Sequence, residues 1–207
     1  MMKKIFTTLL LMVGACSLTQ AQVTKGQTEF GLGIGYGASY VTEGGSGQTS
    51  KSIGVLNVAA SLDHYFSDRW SLKAKVVYDK KGWGNGFITD LSTGKTVTGV
   101  QYNYDYITVP VMANWHFGKT RNWYLNFGPY VGFLLSAEAK DFNLDVKPYS
   151  ATTDAGLAVG IGVKIPLSEK LKFFVEYDGQ SGFVNVIKSA ANSSQMGRGS
   201  FNVGLNF

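Results

Sequence analysis

From Thr28 onward, apolar side chains fall on every second residue, and the alternation restarts eight times before the chain ends at Phe207. Successive side chains of an extended strand point to opposite faces, so runs of period two build half-apolar strands and exclude amphipathic helices. In 28–41, Phe30, Leu32, Ile34, Tyr36, Ala38 and Tyr40 oppose Glu29, four glycines and Ser39. In 53–66, Leu56, Val58, Ala60 and Leu62 oppose Asn57, Ala59, Ser61 and Asp63, and in 70–78 Trp70, Leu72, Ala74, Val76 and Tyr78 oppose Ser71, Lys73, Lys75 and Val77. "YDYITVPVMANWHF" sets Ile107, Val109, Val111, Ala113, Trp115 and Phe117 against Thr108, Pro110, Met112, Asn114 and His116. Pro110 cannot donate to a ladder, which predicts a bulge or irregular pairing there.

The last four runs continue the rule. Trp123, Leu125, Phe127, Pro129, Val131, Phe133 and Leu135 oppose Asn126, Gly128, Tyr130, Gly132 and Ser136. "DAGLAVGIGVKI" separates its aliphatic residues from Asp154, three glycines and Lys164. "LKFFVEYDGQ" separates Leu171, Phe173, Val175 and Tyr177 from Lys172, Glu176 and Asp178, with Phe174 out of place on the polar side. "RGSFNVGLNF" ends the series with Phe201, Val203, Leu205 and Phe207 against Arg198, Ser200, Asn202 and Asn206. Eight strands is the even number that a closed up-and-down barrel requires.

The connections alternate in length. "SDR", "GKTRN" and "PLSEK" are short polar turns, whereas 42–52, 79–100, 138–152 and 184–197 are long and rich in glycine and polar residues. Short turns on one rim and long loops on the other is the arrangement of an outer-membrane barrel, with the short turns and both termini periplasmic. A soluble barrel around an apolar ligand would alternate too, with its apolar face inward. Here the polar face carries Gly31, Gly33, Gly35, Gly37, Gly156, Gly160 and Gly162, a set better suited to the crowded inside of a narrow barrel than to a solvated surface. The apolar face carries Trp70, Phe117, Trp123 and Phe207 beside the short turns and Tyr40 and Tyr78 beside the loops, the expected interfacial girdles. The reading is therefore an all-β, eight-stranded antiparallel up-and-down transmembrane β-barrel over 22–207, one domain and a monomer.

Its interior is predicted to hold a polar network of Glu29, Asp63, Asp154, Glu176 and Asp178 with Lys73, Lys75, Lys164, Lys172 and Arg198. Buried charges must be matched, so these should form ion pairs, with Asp63 and Lys73 expected to pair across adjacent strands. An eight-stranded barrel is only wide enough for its own side chains, which favours a plugged interior over a pore. The space beside the strand-one glycines is expected to be filled by long side chains from across the barrel, such as Tyr130 and Lys75.

No catalytic or cofactor site is expected. His64 and His116 are the only histidines, both lie next to short turns, and both read as interfacial side chains. The acids of "EAKDFNLDVK" are too irregular for a calcium loop, so no metal is assigned. "GIGYGA" fits a dinucleotide-binding pattern, but it has no strand before it, no helix after it and lies inside an alternating run. In the second long loop Lys80, Lys81, Trp83 and Phe87 are candidate contacts to lipopolysaccharide phosphates or a surface partner; the alternative is a solvated loop with its strands running on into a hairpin around "STGK".

The first residues add a location. Lys3 and Lys4 precede a short apolar run from Ile5 to Val13 and small residues ending at Ala21, a secretory signal peptide over 1–21. A lipoprotein signal with Cys16 as the lipidated residue is the competing reading. Cys16 is the only cysteine, so cleavage after Ala21 leaves no thiol chemistry. Removing Lys3 and Lys4 takes Lys plus Arg from 19 to 17 against 14 acids, a net +3 that is no evidence for nucleic acid or any other partner.

"YDYITVPVMANWHF", "YLNFGPYVGFLL" and "DAGLAVGIGVKI", in that order after a signal ending in "AQ", resemble the PorT-type outer-membrane beta-barrel family, small OmpA/OmpX-like barrels also described as porin-family proteins. The resemblance spans the mature chain and implies a barrel in the outer membrane of a Gram-negative bacterium. It carries no functional residue, because the matching positions form the wall. The expected role is non-enzymatic, structural or surface-interacting, with outer-membrane lipid and lipopolysaccharide as surroundings; the alternatives are a small diffusion channel or an accessory of a protein secretion system. Phe207, closing an alternating last strand, fits the signal read by barrel-assembly machinery.

Overall fold

The computed structural model describes residues 25–43, 49–90, 93–188 and 194–207. The signal peptide expected over 1–21 and Cys16 lie outside them. Nine strands follow in order: β1 (Thr28–Glu43), β2 (Ile53–Tyr65), β3 (Trp70–Thr89), β4 (Thr96–Phe117), β5 (Trp123–Ala139), β6 (Leu144–Asp145), β7 (Thr153–Pro166), β8 (Lys172–Asn185) and β9 (Ser194–Asn206). Eight of them form a ring in sequence order, closed by antiparallel pairing of β1 with β9 from Gly31↔Asn206 to Glu43↔Ser194. Two-residue β6 is an addition on the long-loop rim, paired only with the end of β5. Closure leaves no open edge around the wall, the condition for burying strands in hydrocarbon. No helix of the described residues is long and apolar enough to cross a membrane.

The alternation sets the two faces. Phe30, Leu32, Ile34 and Tyr36 are exposed on the outside while Gly31, Gly35 and Ser39 are buried, and the other strands follow suit. Trp70, Trp115, Phe117 and Trp123 make an outer row at the short-turn end, with neighbouring ring centroids 6.3, 5.1 and 6.5 Å apart. Outward tyrosines also explain glycines on the apolar face. A Cβ on Gly54 would lie 2.4 Å from the Tyr36 hydroxyl, one on Gly197 2.6 Å from the Tyr40 ring and one on Gly199 2.6 Å from the Tyr177 hydroxyl, so each ring lies over a glycine of the adjoining strand.

The ladder is irregular at Pro110, as expected: Pro110 stands opposite Tyr130 on β5, but on the β3 side no pair forms between Ala74↔Val111 and Val77↔Thr108, although the register is kept across the gap. A register shift between β4 and β5 falls further on, at Asp105/Tyr106, where Tyr106 opposes Leu134 and Asp105 opposes Ser136. Leu134 continues the inward series of Tyr130 and Gly132; the extra residue, Leu135, reverses the parity of β5 beyond it, so Ala137 and Ala139 turn inward and Ser136 faces out. The second long connection closes as the hairpin around "STGK" that the sequence offers. β3 and β4 run on as paired strands to Thr89↔Thr96, leaving only 90–95 as the tip.

The nearest cover of the β1 glycines comes from β2, β8 and β9, and neither Tyr130 nor Lys75 supplies it. A Cβ would meet Ser61 and Asn206 at Gly31, the Phe174 ring at Gly33, and Asn202 and Asn57 at Gly35. Phe174, out of place in its own pattern, fills the space above Gly33 and Gly204, lying 2.7 and 2.6 Å from where their Cβ atoms would be.

Candidate functional site

The barrel interior is charged from the short-turn end upward. All ten residues of the sequence-derived network face inward, joined by two more, Asp79 and Lys81. At the short-turn end the Lys164 ammonium is the hub: it donates to Glu29 (2.5 Å), Asp63 (2.9 Å) and the Tyr65 hydroxyl (2.9 Å). Lys172 also pairs with Glu29, and the Asn114 amide donates to Asp63 at 2.9 Å. Asp63 and Lys73 do stand opposite each other in register, but they do not pair. The long Lys73 side chain reaches into the barrel to Glu176 on β8 at 2.9 Å, leaving Asp63 to Lys164 on β7.

Glu176 is the middle hub. It accepts from Lys73, Lys75 and the Asn126 amide, and Lys75 continues to Asp178 at 3.3 Å. Arg198 then bridges Asp178 (3.0 Å) and Asp79 (2.9 Å). Lys81 lies 2.9 Å from Asp154 and 3.9 Å from Asp79, and the Tyr130 hydroxyl donates to Asp154 at 2.9 Å. A single charge in this setting would be costly, but each here has an opposite neighbour. Among the described residues, a cavity of 20 Å3 beside Gly33, Ser61, Lys75 and Glu176 has room for about one water.

Above the charges, at the long-loop end, the interior turns apolar. Trp83, 7% exposed, stacks on Tyr102 and Tyr104 at 4.8 and 5.3 Å and packs with Val41, Leu134, Val186 and Met196. The Tyr104 hydroxyl is bonded to Ser150 at 2.9 Å, tying the plug to the segment before β7.

The proposed loop contacts are therefore not gathered into one patch. Lys80 and Phe87 face outward, whereas Lys81 and Trp83 are inside, because β3 continues through all four. His116 is also not an interfacial side chain. It is 2% exposed, bonded through Nε2 to Ser71 at 3.0 Å and packed between Tyr65 and Tyr124. His64 is exposed, with Nδ1 2.8 Å from the Thr28 hydroxyl. Among the described residues no group of three or more His, Cys, Asp or Glu is arranged to hold a metal ion.

A closed ring of eight strands with an apolar outer wall, aromatic rows and a packed, charged interior defines a β-barrel of outer-membrane type. The chain belongs to the outer membrane protein beta-barrel domain family, whose model matches residues 20–188. Among solved structures, the outer membrane protein OprG from Pseudomonas aeruginosa is similar, with 11% identity, a TM-score of 0.54, and coverage of 90% of this chain and 97% of that one. Neisserial surface protein A is similar at 14% identity and a TM-score of 0.51, covering 86% of this chain and 97% of its own. At these identities the likeness is one of fold. No curated protein sequence matches the chain.

Proposed function

We propose that this protein is a closed, non-enzymatic barrel of a Gram-negative outer membrane, with a structural or surface-interaction role. In this reading the chain is exported by a signal peptide over 1–21, the short turns face the periplasm, and lipid and lipopolysaccharide surround the wall. The observation that carries it is the interior, where six acids and six bases are linked by ion pairs beneath an apolar plug. A transmembrane strand needs about 9–11 residues. β3 and β4, with 20 and 22 residues, exceed this and would project their outer halves beyond the bilayer, where a surface contact would be made.

The absence of an enzymatic role is supported by chemistry: His116 is sealed in a polar and aromatic packing at the short-turn end, away from the open rim. Planar-bilayer recording of the purified protein is the test. The closed reading expects no stable conductance; a large, persistent open state would favour the diffusion channel instead.

A further inference from the structure

Above Asp79 the wall divides. The β2–β3 ladder ends at Asn57↔Asp79 and meets again only at the bridge Lys51↔Gly84. In between, β3 turns inward at Gly82, whose φ of +147° suits glycine, and its N–H bonds the Ser39 hydroxyl of β1 at 3.0 Å instead of β2. β2 does not follow, staying paired with β1 as far as Ser39↔Ile53. The result is a crevice of 340 Å3, within the range of about 300–1,000 Å3 typical of ligand pockets.

Its walls differ. The apolar one carries Tyr36 and Leu56, both on the exposed outer face of the barrel. The polar one carries Lys80, Asn103, Asp105, Glu138 and Lys140. Lys80 follows Tyr78 by two residues on the same outward face, which puts the crevice just above the tyrosines at the level of lipid headgroups. Lys80 stands opposite Asp105 in register, but that carboxylate takes the Ser136 hydroxyl at 3.1 Å, and neither Lys80 nor Lys140 belongs to the ion pairs of the interior.

We propose that this crevice binds one outer-leaflet phosphorylated glycolipid. Its acyl chains would run down over Leu56 and Tyr36, its sugar hydroxyls would meet Asn103 and Glu138, and its phosphate would lie between Lys80 and Lys140. A free sugar phosphate would leave the apolar wall unused, and an anionic phospholipid offers few hydroxyls to Glu138. The inference rests on the membrane orientation proposed above and is independent of whether the interior conducts.

The test uses the full barrel in detergent, titrated with bisphosphorylated lipid A and read by native mass spectrometry. One retained lipid per barrel is expected, with at least tenfold weaker retention after Lys80→Ala with Lys140→Ala and no change after Lys95→Ala with Lys119→Ala, two exposed lysines elsewhere. Heat-modifiable migration of each variant checks that it is folded. Equal retention by the two double variants would overturn the proposal, as would equal retention of phosphatidylglycerol or full competition by glucosamine phosphate without acyl chains. Conductance with selective lipid retention would defeat only the closed interior; a silent barrel without selective retention would defeat only this site.

Discussion

The Lys81 ammonium on β3 lies 2.9 Å from the Asp154 carboxylate on β7, joining strands that are not neighbours in the ring. The pair stands just beneath the aromatic plug and shares Asp79 at 3.9 Å with the Arg198 cluster. Removing one partner of a buried pair leaves the other charge without compensation, at a cost of about 3–5 kcal/mol. Lys81→Met should therefore lower stability to unfolding by denaturant in detergent by about that amount. Lys81→Met combined with Asp154→Asn should recover part of the loss, and a double variant no more stable than the single one would show that the pair is not coupled.

The four tryptophans offer a check on the faces. Trp70, Trp115 and Trp123 lie on the outer wall at the short-turn end, and Trp83 is inside at the other end. In single-tryptophan variants placed in vesicles of lipids brominated near the headgroup, the first three should be quenched strongly and Trp83 weakly. Comparable quenching of Trp83 would place it on the lipid face and remove the plug.

Much of this arrangement is legible in the chain because one face of each strand meets hydrocarbon and the other meets its own kind. The rule reaches further along the chain than composition suggests. Asp79 and Lys81 continue the inward series of Ser71, Lys73, Lys75 and Val77, but the loop composition of "DKKGWGNG" hides the continuation of β3 beyond Tyr78. His116 belongs to the inward series of Asn114 and Met112, yet its nearness to a short turn suggested an interface. Partner choice is a different matter. Asp63 and Lys73 are opposite on paper and in the ladder, but which carboxylate a lysine reaches depends on how the closed ring brings β7 and β8 against β2 and β3, and no local pattern encodes that. The Leu135 bulge likewise reverses a parity that reads as continuous.

Two interior glycines should respond differently to one added methyl group. At Gly204 a Cβ would lie 2.1 Å from the Leu32 carbonyl oxygen, which is held in the β1–β9 ladder and cannot retreat. At Gly160 the nearest atom is the Asn126 side-chain oxygen at 2.6 Å, which has no hydrogen-bond partner to lose and can shift more easily than backbone. Overpacking costs about 1–3 kcal/mol. Gly204→Ala should fall at the upper end and reduce the yield of heat-modifiable barrel on refolding, while Gly160→Ala should refold almost normally. The reverse order on the gel would contradict the strand register at closure.

The plug and the ion pairs lie in series along one narrow interior, so they should resist opening independently. Trp83→Ala removes the ring that stacks on Tyr102 and Tyr104 and leaves a cavity at the outer mouth, at a cost of about 3–5 kcal/mol in stability. It leaves Lys81, Arg198, Lys75 and Lys164 with all their carboxylate partners below. Bilayer recordings of Trp83→Ala should accordingly remain silent, even though the variant melts at lower temperature. A steady conductance in that variant would mean that the aromatic plug alone holds the barrel shut and that the charges beneath it line a path for ions.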